Sequence, residues 1–274
     1  MELAEKAQGN KEREDVADYL TSLFGLNGKV VALTGAGGFL LSEMSRGLAR
    51  AGMKVAVLDQ NLEAAEKVAA EIRGEGGEAL AAQIDVTRKE DFARCLDLVL
   101  AEFGGLYGAV FGANRNAPTP FLEIPLEEWH GVMDVQMTGT MLGLQVFGEH
   151  MLRQGKGSIV TISSASANPP LSKAFTYSVA KAAVKNLTQN VAREWATSNV
   201  RVNALRPGFF PTEWSMKHFI TPEREGAILG HTPMKRYGQP AELVGAVLWL
   251  LSDASSFVTG AEIAVDGGFS AMTI

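Results

Sequence analysis

From Lys29 onward the chain alternates short, almost wholly apolar runs with longer stretches of helical periodicity. KVVALTG, KVAVLD, ALAAQIDV, YGAVFGA, GSIVTISS, VRVNALRPG and AEIAVDGG read as strands. Between them FLLSEMSRGLARAG, LEAAEKVAAEIRGEGG, RKEDFARCLDLVLAEFGG, the long LEEWHGVMDVQMTGTMLGLQVFGEHMLRQG, AFTYSVAKAAVKNLTQNVAREWA and PAELVGAVLWLLSD read as helices. A strand apolar on both sides must be covered on both sides, and parallel neighbours need a crossover helix. The pattern therefore predicts an α/β fold, a single doubly wound parallel sheet with helices on both faces.

No linker-like shift in composition divides residues 26–274, so one domain is expected there. Residues 1–25 read as an N-terminal extension, a charged leader and then an amphipathic segment. Its Val16, Tyr19, Leu20, Leu23 and Phe24 recur at helical spacing and are expected to dock on the main body. The stretch 209–237 is polar, Pro-containing and irregular.

Composition narrows the partners. With 46% hydrophobic and 20% charged residues, the chain has the makings of a packed globule. A net charge of −6 offers no basic field for nucleic acid or anionic lipid. No apolar run reaches ~18 residues and no signal-like segment opens the chain, so a cytoplasmic protein without membrane partners is expected. The one cysteine, Cys95, excludes an intramolecular disulfide, and the four histidines lack close ligand spacing, so no metal is assigned.

Two clusters carry chemistry. The first strand runs straight into Thr34-Gly35-Ala36-Gly37-Gly38-Phe39-Leu40, where a helix begins. Glycines there let the backbone turn tightly and approach a pyrophosphate, which then sits on helix N–H groups. Asp59 ends the second strand, where a carboxylate accepts from both hydroxyls of an adenosine ribose and repels a 2′-phosphate. No Arg or Lys in the glycine turn or directly after Asp59 offers such a phosphate a partner, so the expected cofactor is NAD rather than NADP. An ordinary helix N-cap is the alternative role for Asp59. Asp85 and Val86 close the third strand, where they can meet the adenine or simply shape a turn.

The second cluster is Ser164 to Lys181, SASANPPLSKAFTYSVAK. Tyr177 and Lys181 stand one helical turn apart on one face. An ammonium within ~4–6 Å stabilises a phenolate, and a Tyr so tuned exchanges protons near neutral pH. Ser164 lies upstream with a hydroxyl able to hold a substrate oxygen.

With the glycine turn, Asp59, Asp85-Val86, Ser164, Tyr177-x-x-x-Lys181 and Pro207-Gly208 in this order, residues 27–270 resemble the short-chain dehydrogenase/reductase family. The resemblance implies a Rossmann-type fold and an NAD-dependent oxidoreductase interconverting a secondary alcohol and a ketone. It implies that Tyr177 is the catalytic acid/base, that Ser164 steadies the substrate oxygen, and that Lys181 binds the nicotinamide ribose and lowers the Tyr177 pKa. Ala113, Pro207, Gly208 and Thr212 would border the cofactor, 209–237 would be a substrate lid, and a homotetramer is expected. Ala180, Ala182, Ala183, Leu187 and Val191 would pack that helix against a second copy, or else against this chain's own core.

Three departures from the family pattern stand out. Phe39 and Leu41 replace the last two glycines of the turn, Phe111-Gly112-Ala113-Asn114 replaces Asn-Asn-Ala-Gly, and Gln136 replaces the catalytic Asn. GANRNAP, PGFFPTE, HTPMKRYGQPAELVGAVLWL and VDGGFSAMTI further resemble a D-mannonate oxidoreductase (fructuronate reductase) or gluconate dehydrogenase-like subgroup, implying a sugar acid or polyol substrate. Arg115, Asn116, Asn168 and Lys173 lie on loops able to supply a cation and amides to such a substrate, with solvated loop chemistry as the alternative. Trp214, Met216 and Phe219 would form the apolar side of the lid. The rival readings are a catalytically impaired NAD-binding subunit and an acyl-chain ketoreductase.

Overall fold

The computed structural model describes residues 16–212, 216–217 and 220–273. The leader before Val16, together with Trp214 and Phe219, lies outside the described residues. Seven strands form one sheet: β1 (Val30–Thr34), β2 (Lys54–Asp59), β3 (Ala79–Gln83), β4 (Gly108–Phe111), β5 (Gly157–Ile162), β6 (Val200–Pro207) and β7 (Glu262–Val265). Every pairing is parallel, and the order is β3-β2-β1-β4-β5-β6-β7.

The helices are α1 (16–24), α2 (Phe39–Arg50), α3 (Leu62–Gly74), α4 (Lys89–Phe103), a run over 126–154 numbered α5, α6 (Phe175–Trp195), α7 (Pro222–His231) and α8 (Val244–Leu251). Strand side chains alternate between two cores. Val31 and Leu33 of β1 face Met44 and Leu48 of α2, Val68 and Ile72 of α3, and Val247 and Leu250 of α8. Val30 and Ala32 face Phe92 and Val99 of α4, Phe147 and Met151 of α5, and Ala192 of α6. Leu187 and Val191 pack against this second core, so part of the helix face expected to meet another copy is used within the chain.

Several boundaries differ from the sequence expectations. The third strand stops at Gln83, because the Asp85 amide donates to the Asp91 carboxylate instead of a strand neighbour. The run 126–154 is helical as expected but holds two π-turns, Asp134–Thr138 and Leu144–Gly148. The irregular stretch 209–237 contains α7, started by Pro222 at its first turn and by Thr221, whose hydroxyl accepts from the Arg224 N–H at 3.2 Å. That capping signal is local and is masked by the surrounding Pro and polar residues. The N-terminal segment does form a helix, but it does not dock. Val16, Tyr19, Leu20 and Phe24 stay 45–63% exposed, Leu23 is half-buried, and the first fully buried residue of the described segment is Leu26.

The order of the strands reverses between β1 and β4, which leaves a crevice beyond their C-terminal ends. The loops after both strands meet there closely. A Cβ on Gly35, whose φ is +72°, would lie 2.8 Å from the Ala113 Cα.

Candidate active site

A cavity of about 980 Å³ fills this crevice. Of the residues singled out for cofactor binding, Gly35, Gly38, Phe39, Leu40, Asp59, Asp85, Val86, Ala113, Pro207, Gly208 and Thr212 line it, as do Ser164, Tyr177 and Lys181. Gly37 stands behind the wall. Its N–H donates to Asp59 Oδ2 at 2.9 Å, and a Cβ there would lie 2.8 Å from the Ala64 Cβ. Asp59 is thus the acceptor that shapes the glycine turn, with Oδ1 taking the Asn61 N–H at 2.9 Å. It is not the cap of α3; Asn61 is, accepting from the Ala64 N–H. Each carboxylate oxygen holds two acceptor sites, so Asp59 keeps capacity for a ribose.

Asp85 spends Oδ1 on the N–H and hydroxyl of Thr87, at 2.9 and 2.7 Å. The turn role weighed from sequence is therefore real, and only Oδ2 remains for a ligand among the described residues. Leu41, where the family has glycine, is buried in the core beside β1. It fits because the opposite position is Gly112: a Cβ there would meet the Leu41 side chain at 2.7 Å. Two of the family departures are thus one exchange of volume across a contact. Gly208 has a similar reason, since a Cβ would lie 2.6 Å from the Asp266 Cα.

The residues present fit a dinucleotide. The turn brings bare backbone to the start of α2, Gly38 caps that helix with extended backbone and no side chain, and no acid lies in the first turn to repel a phosphate.

At the other end of the cavity stand Ser164, Tyr177 and Lys181. Ser164 has extended backbone and closes a short turn in which its Oγ accepts from both the N–H and the hydroxyl of Ser166, each at 3.1 Å. With both acceptor sites used, its own proton is left to donate. Tyr177 keeps a part-exposed ring edge on the cavity, and burial pushes its phenol up, opposed by the hydrogen bond with Ser164. Lys181 is buried, and its ammonium donates to the Ile162 carbonyl at 2.9 Å and sits 5.5 Å from the Tyr177 ring centroid. Burial pulls it down to about 7. The expected lowering of Tyr177 by Lys181 is not seen here: the opposing influence on Tyr177 is the Ser164 hydrogen bond, and burial is what moves Lys181.

Gln136 does not reach the cavity wall. It is buried in the first π-turn, where its Nε2 donates to the Arg115 carbonyl at 2.7 Å while Oε1 has no partner. Of the four residues considered for substrate, Arg115 alone lines the cavity; Asn116, Asn168 and Lys173 are exposed and lie off its wall. The Arg115 guanidinium lies against the Gly131 backbone of α5, and its charge has no acidic partner among the described residues. Phe210, Asn114 and Gln60 also line the cavity, and neither Phe210 nor Gln60 carries a motif that marks it in advance.

A glycine turn at the switch point of a parallel sheet, with an acid closing the second strand, defines a dinucleotide-binding fold. A family model described as enoyl-(acyl carrier protein) reductase matches residues 42–270. The chain belongs to the short-chain dehydrogenase/reductase family, whose members are nicotinamide-dependent oxidoreductases. It is 37% identical over 267 residues to the uncharacterized oxidoreductase UxuB of Bacillus subtilis, covering 90% of this chain and 96% of that one. It is 34% identical over 253 residues to 5-keto-D-gluconate 5-reductase of Escherichia coli, covering 91% and 98%.

Among solved structures it resembles gluconate 5-dehydrogenase of Burkholderia cenocepacia in complex with NADP and tartrate, at a TM-score of 0.86 and 31% identity, covering 93% and 100%. It also resembles a Haemophilus influenzae structure with bound NAD, provisionally assigned as a D-mannonate oxidoreductase, at a TM-score of 0.86 and 35% identity, covering 90% and 97%. Among the described residues, no helix is long and apolar enough to cross a membrane.

Proposed function

We propose that the protein interconverts a secondary alcohol and a ketone on a sugar acid, of the D-mannonate/fructuronate or gluconate type, using NAD(H). The observation that carries the substrate class is Arg115, a cation without an acidic partner among the described residues, on the wall of a cavity that also holds Ser164 and Tyr177. Relatives that act on keto-gluconate, and one crystallised with a dicarboxylate, support the same class. The preference for NAD rests on Asp59, a carboxylate on the cavity wall at the end of β2 that would repel a 2′-phosphate, with Gln60 rather than a cation next to it. Relatives with either cofactor are known, so the local charge decides.

A nicotinamide held by the glycine turn and Asp59 would supply the hydride acceptor for the alcohol carbon, or the hydride donor for the ketone. The protein's part is to bind, orient and move one proton. Ser164 turns its hydroxyl proton from the Tyr177 oxygen to the reacting oxygen and holds that oxygen against Tyr177. Tyr177 takes the hydroxyl proton during oxidation and gives it back during reduction, so alcohol and NAD⁺ yield ketone, NADH and one proton. Lys181 holds its nitrogen over the Tyr177 ring, 5.5 Å from the centroid, and Arg115 pairs with the carboxylate.

A panel of sugar acids and neutral polyols tests this with both cofactors. Acids are expected to turn over, with NADH favoured over NADPH. Arg115→Ala is expected to raise KM for the acid about tenfold or more, as loss of a charge-assisted hydrogen bond worth ~1.5–3 kcal/mol implies, and to leave a neutral polyol unaffected. Tighter binding of NADPH, or an equal loss on acid and polyol, would contradict the corresponding part.

A further inference from the structure

Strand β6 carries a guanidinium where the rest of its C-terminal half is apolar or buried. Arg206 is 8% exposed. Dehydrating an Arg costs several kcal/mol unless its partners are well placed, so those partners define what it does. Nη1 donates to Glu262 Oε2 at 3.2 Å, and Nη2 donates to the Asn168 carbonyl. Nε has no partner, so the two Nη contacts set the pose.

Glu262, on the neighbouring strand β7, is itself a hub. Its side chain is 10% exposed, takes the Lys185 ammonium of α6 at 3.1 Å, and accepts the Ser163 hydroxyl on Oε1 at 2.7 Å. The loop after β5 is therefore held at two points, Ser163 and Asn168, by charges rooted in β6 and β7. Ser164 lies between them. The Ser163 N–H adds a third tie, to the Leu205 carbonyl at 2.8 Å, while the Ala167 N–H closes the turn on the Ser164 carbonyl at 2.9 Å.

We propose that Arg206 and Glu262 are positioning residues for Ser164: a buried ion pair that grips its loop at the Ser163 hydroxyl and at the Asn168 carbonyl. The inference rests on reading Ser164 as the group that holds the reacting oxygen. Ser166 fixes which way the Ser164 hydroxyl points, and the ion pair fixes where the loop stands. Misplacement of such a group by about 1 Å can cost ~10²-fold in rate.

Arg206→Lys separates the grip from the charge. A Lys retains a cation opposite Glu262 but lacks the planar fork that reaches Asn168 at the same time. The expected result has three parts. Amide hydrogen exchange across 164–168 speeds up at least tenfold while β5 is unchanged. Turnover falls about tenfold or more in both kcat and kcat/KM, the mark of an interaction made in the transition state. NADH affinity, read by fluorescence titration, stays within twofold. If Arg206→Lys does not fold, Ser163→Ala removes the other grip without stranding a charge and carries the same expectations. Wild-type exchange in this segment, or faster exchange with wild-type kcat, overturns the proposal. A wild-type chain that binds NADH yet turns over nothing sinks the functional reading instead, and the exchange measurement then decides the grip alone.

Discussion

At the scale of single residues, Lys181 couples the site to stability. Its pKa is about 7 in the folded chain against 10.5 as the ordinary value. Between those values the unfolded chain holds the extra proton, so stability rises with pH across that window and is lowest below pH 7. A depression of this size is worth on the order of a few kcal/mol. Lys181→Met is expected to flatten the rise, read as denaturant midpoints from pH 6.5 to 9.5; an unchanged slope would assign it to other groups.

The Leu41–Gly112 contact makes a second expectation. Gly112→Val would drive a side chain into Leu41 and cost ~1–3 kcal/mol, with Leu41→Ala in the same chain restoring part of it. Wild-type stability of the single variant would show that the turn has room to spare. Asp59, Tyr177 and Lys181 were legible because spacing and strand position alone mark them. The pairing of Leu41 with Gly112 was not, since the two departures lie far apart in sequence, on α2 and in the loop after β4, and become one only in contact. Arg206 left a sign, a charge in an apolar run, but its meaning depends on Glu262, far along the chain.

At the scale of elements, strands and crossover helices were readable because each buries both faces or one stripe, and periodicity reports burial. The π-turns of α5 were not, because hydrogen-bond register leaves no hydrophobic trace. They set the glycines of α5 against bulky neighbours: Gly143 faces Phe111 and Gly148 faces Trp195, where a Cβ would lie 2.5 and 2.3 Å from the rings. Helix α7 was missed for its polar context. Arg224 ties it to the loop after β5, donating to the Ser172 hydroxyl at 3.3 Å and carbonyl at 3.0 Å. If 209–237 is the substrate lid, Arg224→Ala is expected to raise KM for the acid several-fold and leave NADH affinity unchanged. Equal effects on both would mean that α7 supports the whole cavity rather than its mouth.

At the scale of the whole molecule, one sheet with two cores explains why the chemistry gathers at one edge. The strands end together, and the order reverses between β1 and β4, so the glycine turn, Asp59, Ser164 and Tyr177 share a crevice although they are scattered along the chain. Exposed Phe121, Leu122, Leu126, Phe175 and Val179 accord with the proposed homotetramer, which light scattering would test; a monomer would refute it. The central claim is that the proton moves through Tyr177. Its most direct test is the rate of keto-acid reduction by Tyr177→Phe under saturating NADH, beside the NADH dissociation constant of the same variant. A fall of ~10²–10⁴ in kcat with unchanged NADH affinity is the expected result. Undiminished turnover with NADH still bound would contradict it.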